Sequence, residues 1–151
     1  MATEETLVIS QNLLQKIREH CLDQKPNEAC GILTGRGGRV LHAYATASAR
    51  PSPVYYEVLP EHQERILREM DARGEELVAI YHSHPTAAAI PSATDIRLAV
   101  YYPEALRVIV SLVRGSEMRA YRIKDQKSIP VDIVALREAE GVWHNLCDEN
   151  L

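Results

Sequence analysis

The chain has 151 residues, with 17 Lys and Arg against 21 Asp and Glu for a formal charge of -4; that length suits one domain, and the acidic balance leaves no electrostatic footprint for nucleic acid. Hydrophobic residues make up 46% and charged residues 25%, which is the composition of a globular chain and excludes disorder for most of it. With seven Tyr, one Trp and no Phe, the core must be built from Val, Ile, Leu and Ala.

Cys21, Cys30 and Cys147 are odd in number and widely spaced, so they make neither a disulfide framework nor a CxxC knuckle and read as reduced thiols. The start of the chain carries Glu4 and Glu5 in place of a basic leader, and no apolar run reaches the ~18 residues that span a bilayer. The expectation is a soluble, cytoplasmic protein without a membrane role.

In chain order, residues 6–9 are a β-prone run, and Leu13, Leu14, Ile17, Cys21 and Leu22 then recur at helical spacing. This predicts a strand followed by an amphipathic helix. Pro26 and Asn27 break the helix. Residues 29–33 begin a strand that meets Gly35, Gly37 and Gly38, and residues 40–44 return, which predicts a hairpin. A phosphate-binding loop would need a Lys-Ser/Thr pair after its last glycine and a helix to follow, and neither is present. Residues 50–53 form a rigid Pro-containing loop and 55–59 a short extended piece. Pro60 stands where a helix start tolerates it, Ile66, Leu67 and Met70 supply that helix's apolar face, and Gly74 ends it. Residues 77–81 are an apolar strand that feeds directly into His82-Ser83-His84-Pro85. After a loop of small residues at 86–91 comes Ser92, then a helix carrying Ile96, Leu98, Ala99 and Val100, closed by Pro103. Strands are predicted at 106–113, 118–123 and 129–133, with no repeat and no linker. The result is an α/β domain over 1–134. The tail, 135–151, has no assigned role and is either a helix packing Val142, Trp143 and Leu146 or a frayed end. Trp143 and an exposed strand edge are candidates for a homodimer contact.

His82 and His84 lie two apart at a strand end, where alternate side chains share a face. They are either two of the three protein ligands of a catalytic zinc or a pair of partly exposed strand-end histidines. Asp95, in the first turn of the next helix, would complete a His2Asp set with a fourth position left for water. Ser92-x-x-Asp95 is equally the pattern of a capping box. Glu28, just before the strand at 29–33, is either a solvated turn residue or the carboxylate with which a zinc hydrolase moves a proton from water to the leaving amine. Cys30 reads as packing. His20, His42, His62 and His144 have no spaced partner. A metallo-β-lactamase site would need Asp-His after the histidine pair, where Thr86-Ala87 stand; a zinc deaminase would need His-x-Glu and Pro-Cys-x-x-Cys, both absent.

Taken together, Glu28, His82-Ser83-His84-Pro85, six residues, Ser92, two residues and Asp95 resemble the JAMM (MPN+) metalloprotease signature, an upstream Glu followed by HxHP-x6-S-x2-D, at all five functional positions. Residues 26–33 and 81–96 are similar to the small prokaryotic members, among them peptidases that act on ubiquitin-like sulfur-carrier proteins, including the type that releases cysteine from a carrier's C-terminus. The resemblance spans about 6–133. It implies an MPN/JAB, cytidine-deaminase-like architecture: a mixed, curved β-sheet flanked by helices. It also implies one zinc per chain held by His82, His84 and Asp95, with Glu28 activating the zinc's water and Ser92 steadying the oxyanion while serving as helix N-cap. The substrate it implies is a ubiquitin-like carrier or its C-terminal adduct, whose extended tail would lie beside Ala87, Ala88 and Ala89 and pair with a strand edge. A non-catalytic scaffold of the same fold and a zinc hydrolase of small amides stay open as alternatives. So does the leaving group: cysteine, a peptide or a Lys side chain.

Overall fold

The computed structural model describes residues 5–148. Strand β1 (Thr6–Ser10) runs without a gap into helix α1 (Gln11–Asp23). The helix buries Leu13, Leu14, Ile17, His20 and Cys21, whereas Leu22, expected inside, is 49% exposed. At about 100° per residue, the step from Leu13 to Leu22 is two and a half turns, so Leu22 faces away from the stripe that Leu13 begins. His20 occupies the inward position instead.

Strands β2 (Cys30–Arg36) and β3 (Arg39–Thr46) form the expected hairpin. Its turn residues Gly37 and Gly38 have φ of 59° and 80°, the left-handed pair that a two-residue type I′ turn requires. The connection 47–59 folds back on itself through one bridge, Ser48 with Val58, and that bridge is all that forms of the expected extended piece. Helix α2 (Pro60–Arg73) starts at Pro60 and stops at Gly74, in the left-handed region. Strand β4 (Glu76–His84) buries every residue after Glu76 and carries the predicted strand on through both histidines. Helix α3 (Ala93–Leu98) is shorter than expected because its end tightens into a 3-10 turn, Ala99–Tyr101. Strands β5 (Leu106–Ser111), β6 (Glu117–Lys124) and β7 (Lys127–Leu136) follow.

The tail departs from both expectations. Instead of a helix or a frayed end, Val142–Asn145 form strand β8, parallel to β3, and Leu146 behind it is fully buried. Pairing satisfies backbone groups that β3 would otherwise leave open at an edge. Trp143, a candidate for contact with a second copy, packs against this chain's own core. Residues 149–151 of the tail lie outside the described residues.

The strands make one mixed sheet in the order β1-β7-β6-β5-β4-β2-β3-β8, and a β1–β3 contact returns the sheet onto itself. This is the mixed, curved sheet that the family resemblance leads one to expect. Alternation along the central strands sorts side chains between two sides. Leu33, Ala79, Tyr81, Val108 and Val110 pack with α1, while Ile32 and Ile80 pack with Ile66 of α2. Close packing is strict where β2 crosses Tyr81. A Cβ on Gly31 would lie 2.0 Å from Tyr81 Cε2, so only glycine lets that ring lie flat across β2. Tyr81 is fully buried with its hydroxyl 2.6 Å from His20 Nδ1. Among the described residues no helix is long and apolar enough to cross a membrane.

Candidate metal centre

Strand β4 delivers His82 and His84 on the side opposite Tyr81. His82 sits between Cys30 of β2 and Ile109 of β5, and His84 beside Ser111. Their Nε2 atoms are 3.2 Å apart, and Asp95 Oδ2 lies 3.2 Å from the first and 3.1 Å from the second. These three are the one set of His, Cys, Asp or Glu among the described residues whose ligand atoms gather closely enough to hold a metal ion. Tetrahedral donors bonded to zinc at 2.0–2.1 Å stand about 3.3 Å from one another, so the triangle fits that ion to within a few tenths of an ångström. Two imidazole nitrogens and a carboxylate are also donors that zinc accepts.

Helix α3 presents Asp95 through its own start. Ser92 Oγ accepts the Asp95 N–H at 3.0 Å, and Asp95 Oδ2 accepts the Ser92 N–H at 2.9 Å, which closes a full capping box. The carboxylate oxygen that caps the helix is therefore the same one that faces the histidines. Ser92 is exposed at the rim, and accepting a hydrogen bond leaves its hydroxyl proton able to donate.

The two histidines are held differently. The Nδ1–H of His84 donates to the Ala88 carbonyl at 2.8 Å, which fixes the tautomer and turns the Nε2 lone pair inward. The loop carrying Ala88 is itself pinned, since Ser111 Oγ donates to the Ala87 carbonyl and the Tyr121 hydroxyl to the Ala89 carbonyl. Ala87 and Ala88 are exposed beside the site, but Ala89 is buried against Ile109 and Tyr121. The His82 Nδ1, by contrast, is buried with no hydrogen-bond partner. Its ring lies stacked on Tyr56 from the 47–59 connection, centroids 4.6 Å apart and planes 22° from parallel. No sequence signal marks Tyr56, the second of two adjacent tyrosines after a Pro-containing loop.

Glu28 is buried beside this group and is not a solvated turn residue. Its N–H donates to the Ser52 carbonyl at 2.8 Å. The next residue, Ala29, donates its N–H to Ser83 Oγ at 2.8 Å, so the middle residue of His-Ser-His ties the start of β2 to β4. Burial lifts the Glu28 carboxyl to about 7, with His84 pulling it down and Asp95 pushing it up. Burial would also raise Asp95, but its hydrogen bonds with His82, His84 and Ser92 hold it well below the usual carboxylate range. Burial lowers the pKa of His82, against the pull of Asp95. For His84 burial works the same way, but the bonds to Asp95 and Ala88 prevail and raise it.

Cys30 shares the site face but is inert: burial lifts its thiol to about 12, and Sγ lies 3.2 Å from Thr46 Oγ1. The outlying histidines do have partners, brought together by the sheet. His42 Nδ1 lies 2.9 Å from His144 Nε2, His20 Nε2 lies 3.7 Å from Cys147 Sγ, and His62 Nδ1 accepts the Ala47 N–H.

The chain matches the prokaryotic homologs of the JAB domain over residues 10–124. It is 37% identical over 127 residues to the CysO-cysteine peptidase of Mycobacterium tuberculosis, covering 82% of this chain and 86% of that one. It is 35% identical over 124 residues to the desampylase of Pyrococcus furiosus, with shares of 82% and 86%. Among solved structures, the solution structure of a Desulfitobacterium hafniense protein superposes with a TM-score of 0.79 at 28% identity, covering 89% of this chain and 95% of that one.

Proposed function

Because the chain belongs to the family of prokaryotic homologs of the JAB domain, we propose that it is a zinc metallopeptidase that hydrolyses a peptide or amide bond at the C-terminus of a small ubiquitin-like carrier protein. The supporting observation is the convergence of His82 Nε2, His84 Nε2 and Asp95 Oδ2 to within 3.2 Å of one another, with the buried Glu28 carboxyl alongside. The carrier as substrate rests on the relatives, a CysO-cysteine peptidase and a desampylase.

Zinc held by His82, His84 and Asp95 would supply a Lewis acid for the scissile carbonyl and a water of pKa ~7. Glu28, whose carboxyl titrates at about 7, accepts a proton and returns it to the departing amine, a task suited to a group balanced near neutral pH. The Ser92 hydroxyl donates to the oxyanion as charge develops there, an interaction worth ~10²–10³ in rate. The Ala88 carbonyl keeps His84 in the ligating tautomer. Exposed Ala87 and Ala88, with no side chains beyond Cβ, leave room for an extended substrate tail.

The test is cleavage of carrier–peptide and carrier–cysteine adducts, followed by mass spectrometry beside elemental analysis for zinc. Glu28→Gln keeps zinc and loses cleavage, and His82→Ala loses zinc. Full turnover by Glu28→Gln, or stoichiometric zinc in His82→Ala, would overturn the assignment. Turnover confined to small amides offered in the same assay would replace the carrier with a small-molecule substrate.

A further inference from the structure

The two histidines of the centre pose the same mechanical problem and meet it by different means. An imidazole turns about its Cβ–Cγ bond in a broad well, and a metal ligand must present one nitrogen in one direction. Metal-ligating histidines ordinarily achieve this by donating the other ring N–H to an oxygen. His84 does so, with its Nδ1 2.8 Å from the Ala88 carbonyl. His82 does not, since its Nδ1 is buried without any partner.

What His82 has instead is a flat wall. The Tyr56 ring lies 4.6 Å away, centroid to centroid, with planes 22° apart, and this fixes the plane of the imidazole. Of the two flips left in that plane, only one puts Nε2 rather than a carbon against Asp95 Oδ2 at 3.2 Å. Tyr56 is itself held from behind by the apolar cluster that contains Ile32, Ile66 and Ile80. The connection that carries it is anchored by its Ser48–Val58 bridge and by the Ser52 carbonyl that accepts the Glu28 N–H. One irregular segment thereby sets both the ring plane of His82 and the place of Glu28.

We propose that Tyr56 is a positioning residue of the metal centre, its ring doing for His82 what the Ala88 carbonyl does for His84. This rests on the reading of the centre as a zinc site. Loss of an orienting partner typically weakens metal binding by ~10–100-fold, and the ring rather than the hydroxyl is what acts here.

The experiment measures the zinc dissociation constant by competition with a chromophoric chelator, and the visible spectrum of the cobalt-substituted protein, for wild type, Tyr56→Phe and Tyr56→Leu. Tyr56→Phe keeps the wild-type affinity and spectrum. Tyr56→Leu, which keeps bulk but no plane, binds ~10–100-fold more weakly with an altered cobalt spectrum. Tyr56→Met takes its place if far-UV dichroism shows that the leucine variant does not fold. A folded leucine or methionine variant with wild-type affinity and spectrum overturns the positioning role, and so does a phenylalanine variant as weak as the leucine one. A wild-type protein that binds no zinc overturns the zinc reading itself, so the two failures are told apart.

Discussion

Acidification should weaken this protein through His20, by an amount that the structure lets one work out. The ring is buried on the inner face of α1, with Nδ1 2.6 Å from the Tyr81 hydroxyl and Nε2 3.7 Å from Cys147 Sγ. Burial, opposed by Asp23 and Asp148, pulls its pKa from 6.5 to about 4. In the unfolded chain the same imidazole takes up a proton near its ordinary value, so between these two pH values the unfolded state binds more protons than the folded one. The stability associated with a neutral His20 is fully present above pH 6.5 and is lost as pH falls to about 4. At ~1.36 kcal/mol per pKa unit the loss is about 3 kcal/mol. Urea unfolding of metal-stripped protein, followed by far-UV dichroism from about pH 7.5 to about pH 4, measures it for wild type and His20→Gln. Glutamine retains a hydrogen-bonding group for Tyr81 and does not titrate, and the other ionisable groups cancel between the two proteins. The stability difference between them should shift against wild type by about 3 kcal/mol across the window. Parallel curves would refute the burial of a neutral imidazole at this position.

Gly31→Ala sets a Cβ 2.0 Å from Tyr81 Cε2 and 2.5 Å from the Tyr44 carbonyl oxygen; the ring must leave its place and its bond to His20, a loss of ~3 kcal/mol or more by urea unfolding, and a loss below ~1 kcal/mol would mean the sheet has room there. Ser92→Ala removes one arm of the capping box at ~1 kcal/mol and lowers carrier cleavage by ~10²–10³; unaltered turnover with the stability loss alone would leave Ser92 as a cap only. Leu146→Ala empties a fully buried position behind β8, and urea unfolding should register a loss of ~2–5 kcal/mol. No loss would mean that the C-terminal strand is not part of the core.

What was legible in the sequence was whatever depends on neighbours in the chain. Gly37-Gly38 announced a turn because two positive φ angles are needed there, and Pro60 and Gly74 bounded α2 for equally local reasons. The spacing of His82, His84, Ser92 and Asp95 could be read because one strand end, one loop and one helix turn carry all four. Ser92-x-x-Asp95 forms the capping box, and the same Asp95 oxygen also faces both histidines, which the spacing alone could not show. Residues 142–145 were missed because their strand has no alternation of its own and exists by pairing with β3, about a hundred residues upstream. Tyr56, Ser83 and the His42–His144 pair were missed for the same reason. Each acquires its partner only when the sheet is assembled, and Leu22 shows the converse, a local apolar pattern overruled by which side of α1 meets the sheet.

The shared oxygen of Asp95 has a further consequence. Helix α3 is six residues long, too short to persist by its own backbone bonds in water, and its first turn is closed by the same atom that meets His82 and His84. An ion that draws these three groups together also holds the turn that carries Ser92. If the centre binds zinc as proposed, its occupancy and the local order at its mouth are coupled, because binding energy at such a site is in part folding energy. On the proposed zinc reading, stripping the metal would remove more than a Lewis acid: it would loosen the turn that carries Ser92.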